Sequence, residues 1–95
     1  MKNMQYPSKD IIDAIIKIDN EQDCIDFLND LCTIQELEKM SQRLEAAKLL
    51  LEGCTYEQVI EQTKISSTTL SRVSKCIRYG DGGYKKIIDK QKNRV

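Results

Sequence analysis

Apolar residues return along this chain at steps of three and four, the spacing that gives a helix one buried stripe. The pattern, read with its capping residues, predicts about six helical segments. The first covers residues 8–19, with Ile11, Ile12, Ile15, Ile16 and Ile18 forming a broad apolar face. Asn20 can cap the second, which carries Cys24, Ile25, Phe27, Leu28 and Leu31. Thr33 opens the longest helix and Glu36, three residues on, completes a capping box. That helix runs to Glu52 and stops at Gly53, a residue suited to a left-handed C′ position. Ile34, Leu37, Met40, Leu44, Ala47 and Leu51 make its expected core seam. After the run Gly80-Asp81-Gly82-Gly83, a break, a last helix from about Tyr84 to Lys92 should hold Ile87 and Ile88 on one side.

Residues 55–79, TYEQVIEQTKISSTTLSRVSKCIRY, read as a short helix, a tight turn and a second helix. Thr55 and Gln58 make a capping box for the first, and Ser66 or Ser67 can cap the second. Val59, Ile60, Ile65, Leu70, Val73 and Ile77 supply the apolar clamp between them. Left over on the second helix are Ser67, Thr68, Thr69, Ser71, Arg72 and Lys75, small, hydroxyl-bearing or basic. This is the layout of a DNA-reading helix-turn-helix, where small polar side chains let a helix enter the major groove and cations hold phosphates or guanine edges. A helical hairpin with a solvated polar face would show the same periodicity.

Charge separates the two readings. The chain has no formal net charge, yet residues 1–63 hold 6 Lys and Arg against 13 Asp and Glu, a net of −7, and residues 64–95 hold 9 against 2, a net of +7. Positive charge begins at the predicted turn and continues to the end. Such a division points to a polyanion-binding face on an acidic body. Lys64, Lys75 and Arg78 would neutralise phosphates; Ser67, Thr68 and Ser71 would meet base edges directly or through water; Thr69 and Arg72 are better placed for phosphates. On the first helix of the motif Gln58 and Glu61 bring no positive charge, so backbone contact there is weaker, with Gln58 the candidate contact from that helix.

At 95 residues the chain is expected to form one domain, divided into dimerisation helices over 1–54, the helix-turn-helix over 55–79 and a terminal helix over 84–95. One proline, four glycines, no tryptophan and a single phenylalanine make an all-α fold with an aliphatic core the natural class. The amino terminus lacks an apolar signal-like run, and no segment reaches the length of a membrane span, so a cytoplasmic location with no membrane partner is expected. Cys24, Cys32, Cys54 and Cys76 form no C-x-x-C pair and histidine is absent, so no metal is expected and all four thiols read as reduced packing groups. Without histidine or an activated nucleophile, the chain does not read as an enzyme. Its apolar faces exceed what so small a globule can hide. A homodimer would bury them, and two-fold symmetry would set paired recognition helices about 34 Å apart, one helical turn of DNA; a compact monomeric bundle is the alternative.

The stretch from Leu31 to Ile88, with its T-x-x-E helix start, long helix ending in L-x-x-G, helix-turn-helix and short terminal helix, resembles the bacterial tryptophan repressor family, and its YerC/YecD-type members most. The resemblance covers about two-thirds of the chain. It implies an intertwined, all-α homodimer that binds double-stranded operator DNA and regulates transcription, most often by repression. It also implies a site for a small amino-acid-like corepressor at Thr33, Arg43 and Arg72, one arginine meeting the ligand's carboxylate across the dimer and the other lying beside its ring. Each has a plainer role open to it: Thr33 as a helix cap, Arg43 as a surface residue near Glu36 or Glu45, Arg72 as a phosphate contact. Val73 stands where the tryptophan repressor has glycine, and Cys76 where it has serine. The added volume of Val73 argues for a ligand other than tryptophan, or for none. An architectural or replication-origin DNA binder is the second function considered. A third is a dimeric protein-interaction module, docking an acidic partner through Lys85, Lys86 and Lys90.

Overall fold

The computed structural model of the protein describes residues 6–93, and over these it is all-α. Six helices follow one another: α1 (Lys9–Lys17), α2 (Glu21–Leu31), α3 (Ile34–Leu51), α4 (Tyr56–Thr63), α5 (Ser67–Tyr79) and α6 (Gly83–Lys92). Contacts group them into two compact units, Met1–Ile34 and Gln35–Val95. No described residue forms a strand, and no helix is long and apolar enough to cross a membrane.

The first unit holds α1 and α2, and each starts where its cap dictates. Ser8 Oγ accepts from the Ile11 amide at 3.2 Å, and Asn20 Oδ1 accepts from the Asp23 amide at 2.8 Å, so each cap satisfies an amide that has no partner within its helix. Neither helix contains a buried residue. The isoleucine face of α1 is open, with Ile16 72% exposed, and Ile25 and Leu31 of α2 are exposed as well. These are amphipathic helices whose apolar stripes find no cover within their own unit.

The second unit has a core. Ala46, Ala47, Val59, Ile65, Leu70, Val73 and Ile88 are buried together, with Leu44, Leu49, Leu50, Leu51, Cys54, Ile60, Ile77 and Tyr84 packed around them. α3, α4, α5 and α6 all contribute. The expected seam of α3 is therefore core only in its second half: Ile34 is 74% exposed and Met40 is exposed too, while Ala46, outside the seam, is fully buried. The periodic stripe extends beyond the core available to one chain. On α6, Ile88 is 1% exposed and Ile87 52%. Neighbours on a helix stand about 100° apart and cannot share one narrow buried stripe.

Two backbone features frame the helix-turn-helix. Gly53 ends α3's overhang with φ +97, the left-handed conformation that glycine adopts without strain. Thr55 then starts α4 with a complete capping box: its Oγ1 accepts from the Gln58 amide at 3.2 Å, and Gln58 Oε1 accepts from the Thr55 amide at 2.8 Å. α4 ends at Lys64, whose φ of 62 is left-handed without a glycine's freedom.

Candidate nucleic-acid interface

The turn between α4 and α5 is held from three directions. Thr63 Oγ1 donates to the Val59 carbonyl at 2.7 Å and accepts from the Ile65 amide at 3.2 Å. The Lys64 amide donates to the Ile60 carbonyl at 2.8 Å. From α3, Gln42 Nε2 donates to the Thr63 carbonyl at 2.8 Å. Ile65 is buried in the core at the end of this turn. Ser66 rather than Ser67 is the cap of α5, its Oγ accepting from the Thr69 amide at 3.2 Å. The choice of cap frees Ser67 for the surface.

From that fixed start α5 presents two faces. Leu70, Val73 and Ser74 point inward and are buried. Ser67, Thr68, Ser71, Arg72 and Lys75 line one open concavity of about 680 Å³. Their numbers, stepping by three and four, place them on one side of the helix. All five are exposed and none is acidic. Five of the nine DNA-contact candidates singled out from the sequence are thus brought together.

Thr69 is half-buried and receives a hydrogen bond from Ser66 Oγ at 2.9 Å, so it turns from the concavity toward α3. Arg78 lies in the last turn with its guanidinium carbon 5.5 Å from the centre of the exposed Tyr79 ring, within range of a cation–π contact. Lys64 is exposed at the turn. Gln58 is exposed at the start of α4, but its amide oxygen is occupied by the cap. Its –NH₂ group is left for an outside acceptor.

The ligand-site candidates divide differently. Arg43 and Arg72 meet in a cavity of about 510 Å³, shared with Lys39, Thr69, Val73, Cys76 and Tyr84. Thr33 lies in the other unit, immediately before α3. Buried Val73 forms part of the cavity's wall, and Cys76, expected as a packing residue, is exposed and lines the cavity too. Sequence reading missed Lys39 and Tyr84. Lys39 precedes Arg43 by one helical turn on α3, a spacing that could have paired them. Nothing in the local sequence ties Tyr84, beyond the glycine break, to the same place.

A family model described as Trp repressor protein matches residues 8–92. The chain belongs to the Trp repressor family. Among relatives, this Trp repressor family member is 38% identical over 82 residues to the uncharacterized protein YerC of Bacillus subtilis, covering 86% of this chain and 79% of that one. Two crystal structures share its fold. A candidate Trp repressor from Staphylococcus aureus superposes with a TM-score of 0.84 at 34% identity, over 90% of this chain and 86% of that one. A TrpR-like protein from Eubacterium eligens does so at 0.86 and 33%, over 96% and 94%. The Trp repressor family is one of helical DNA-binding regulators rather than enzymes, and the placement of the helix-turn-helix in this member agrees with that function.

Proposed function

We propose that the protein is a homodimeric, sequence-specific transcriptional repressor that seats α5 in the major groove of double-stranded operator DNA. The observation that carries this reading is the exposed face of α5, where Ser67, Thr68, Ser71, Arg72 and Lys75 share one concavity without an acidic side chain. Hydroxyls at the amino-terminal end of α5 can donate to or accept from base edges, and the cations further along it can hold the flanking phosphates. Lys64 and Arg78 extend phosphate contact to either end of the helix, Thr69 supports Arg72 from beside it, and Gln58 donates from α4. Dimerisation through residues 1–54 covers the open isoleucine face of α1, the exposed apolar residues of α2 and the first half of the α3 seam. The helix-turn-helix over 55–79 then reads DNA, and the terminal helix packs Ile88 into its core. Arg43 and Arg72 are the candidates for holding a small regulatory ligand, and Thr33, in the first unit, is a separate candidate.

Selection of genomic fragments by the purified full-length protein tests the reading at near-physiological salt, where non-specific binding is suppressed. A palindromic sequence should be enriched, and Ser71→Glu should abolish enrichment while sedimentation still reports a dimer. Uniform retention of all fragments would make the protein an architectural binder instead. No retention by a dimeric protein would refute DNA recognition and leave a protein-interaction module.

A further inference from the structure

The cavity that joins α3 to α5 is unusual in its charge. Lys39, Arg43 and Arg72 line it, and no carboxylate does. A smaller neighbouring notch of about 250 Å³ shares Lys39, Arg43 and Thr69 and adds Lys64. The ion pairs given by the described residues, Lys9–Asp13 and Lys85–Asp89, include none of these four cations. Cations gathered around one concavity repel each other, and that repulsion is relieved when an anion enters.

The lining discriminates between anions. A free amino acid would bring a carboxylate for one guanidinium, but its ammonium would then sit among the remaining cations with no carboxylate to meet it. A phosphate monoester carries about −1.5 to −2 charge at neutral pH and three strong acceptor oxygens. It can engage two planar guanidinium forks and an ammonium together. Val73, buried, and Tyr84, half-buried, give a wall for an organic remainder. The volume lies within the range usual for small-molecule sites.

We propose that this cavity binds a small phosphate monoester, and that such a compound, rather than a zwitterionic amino acid, is the regulatory ligand. The inference rests on the ligand role given above to Arg43 and Arg72. It adds Lys39 as the residue that turns a carboxylate-sized site into a phosphate-sized one. Arg72 also lines the concavity on the outer face of α5, so one side chain serves both the ligand and the DNA face.

Calorimetric titration of the full-length, DNA-free protein with phenyl phosphate, in a phosphate-free buffer at near-physiological salt, tests the assignment. Saturable binding of one phenyl phosphate per chain is expected, with no heat from L-tryptophan. Lys39→Ala, an exposed position on α3, should weaken phenyl phosphate by about tenfold, as loss of a charge-assisted hydrogen bond would. Arg43→Ala should do the same, with circular dichroism confirming helix content in both variants. Binding of L-tryptophan without phenyl phosphate would overturn the proposal, and so would absence of both. Unchanged phenyl phosphate affinity in both variants would place the probe elsewhere on the basic surface, and that too would overturn it. If Lys39→Ala left phenyl phosphate affinity unchanged but weakened duplex DNA in a separate anisotropy titration, the cavity would hold a backbone phosphate and not a small molecule, which would also overturn the proposal. Because the calorimetric titrations contain no DNA, a failure of operator recognition would show up separately, in the fragment selection.

Discussion

Lys64 is the one non-glycine residue with positive φ among those described, at 62°, and replacing it should move stability and DNA affinity in opposite directions. A left-handed conformation costs a side-chain-bearing residue about 1–2 kcal/mol. Glycine removes that cost but brings roughly 0.5–1 kcal/mol of extra unfolded-chain entropy, leaving a net gain of roughly 0.5–1 kcal/mol for Lys64→Gly. The hydrogen bond from residue 64 to the Ile60 carbonyl is made by the backbone and survives the change. For a domain of this size, about 4–8 °C per kcal/mol, the gain corresponds to roughly 2–8 °C in Tm. The lost ammonium acts the other way. Each phosphate contact contributes about 0.9 to the slope of log affinity against log salt, which at ~0.15 M amounts to about fivefold per protomer and about thirtyfold for a dimer. Thermal unfolding at fixed protein concentration and fluorescence anisotropy of a labelled operator over a salt series would measure the two effects. Lys64→Asn, tolerant of the left-handed region but uncharged, should lose affinity to the same extent. Lys64→Arg should retain it. A lower Tm for Lys64→Gly, or an unchanged salt slope, would refute the argument that a strained backbone is kept here for the sake of a charge.

Further consequences follow for the core and the helix ends. Leu70→Ala removes a fully buried side chain at the centre of the α5 packing and should cost about 2–5 kcal/mol in urea unfolding. Gly80→Ala would set a Cβ 2.5 Å from the Cys76 carbonyl oxygen, which already accepts the Gly80 amide at 2.9 Å; a loss of about 1–3 kcal/mol is expected, as for other steric overpacking, and calorimetry would detect it. Thr55→Ala breaks one half of the α4 capping box and should lower stability by about 1 kcal/mol, measured by the same unfolding assay. Ile12→Asp combined with Ile16→Asp should leave the helix-turn-helix folded by circular dichroism but convert the dimer to monomers in sedimentation, because both side chains are exposed in the single chain.

Much of this fold is legible in the sequence. Caps are local: Thr55 and Gln58 specify the start of α4 by spacing alone, and Gly53 its preceding turn. The clamp of the helix-turn-helix was legible for a similar reason, since Val59, Ile65, Leu70 and Val73 lie within fifteen residues and have only one way to face each other. Periodicity says that a stripe will be buried but not by what, which is why Ile34 and Met40 read as core although they are exposed in one chain. The candidate ligand cavity was the least legible feature. It depends on α3 bringing Lys39 and Arg43 to residues thirty positions further on, and on Tyr84 arriving from beyond a glycine break. The strain at Lys64 was equally hidden, for a lysine carries no mark of the backbone angle it will adopt.

The uncovered isoleucines of α1 bear on dosage as well as on shape. A protomer that meets no second copy keeps that greasy surface in water, where chaperones and proteases recognise it and remove the chain. In the dimer proposed above, assembly would draw on the square of the protomer concentration, and so would occupancy of a two-fold operator. A cell making too little of this regulator would lose it disproportionately, and one making slightly more would fill its operators abruptly. An analogue binding curve would thus reach the gene as something closer to a threshold, set by the rate of synthesis.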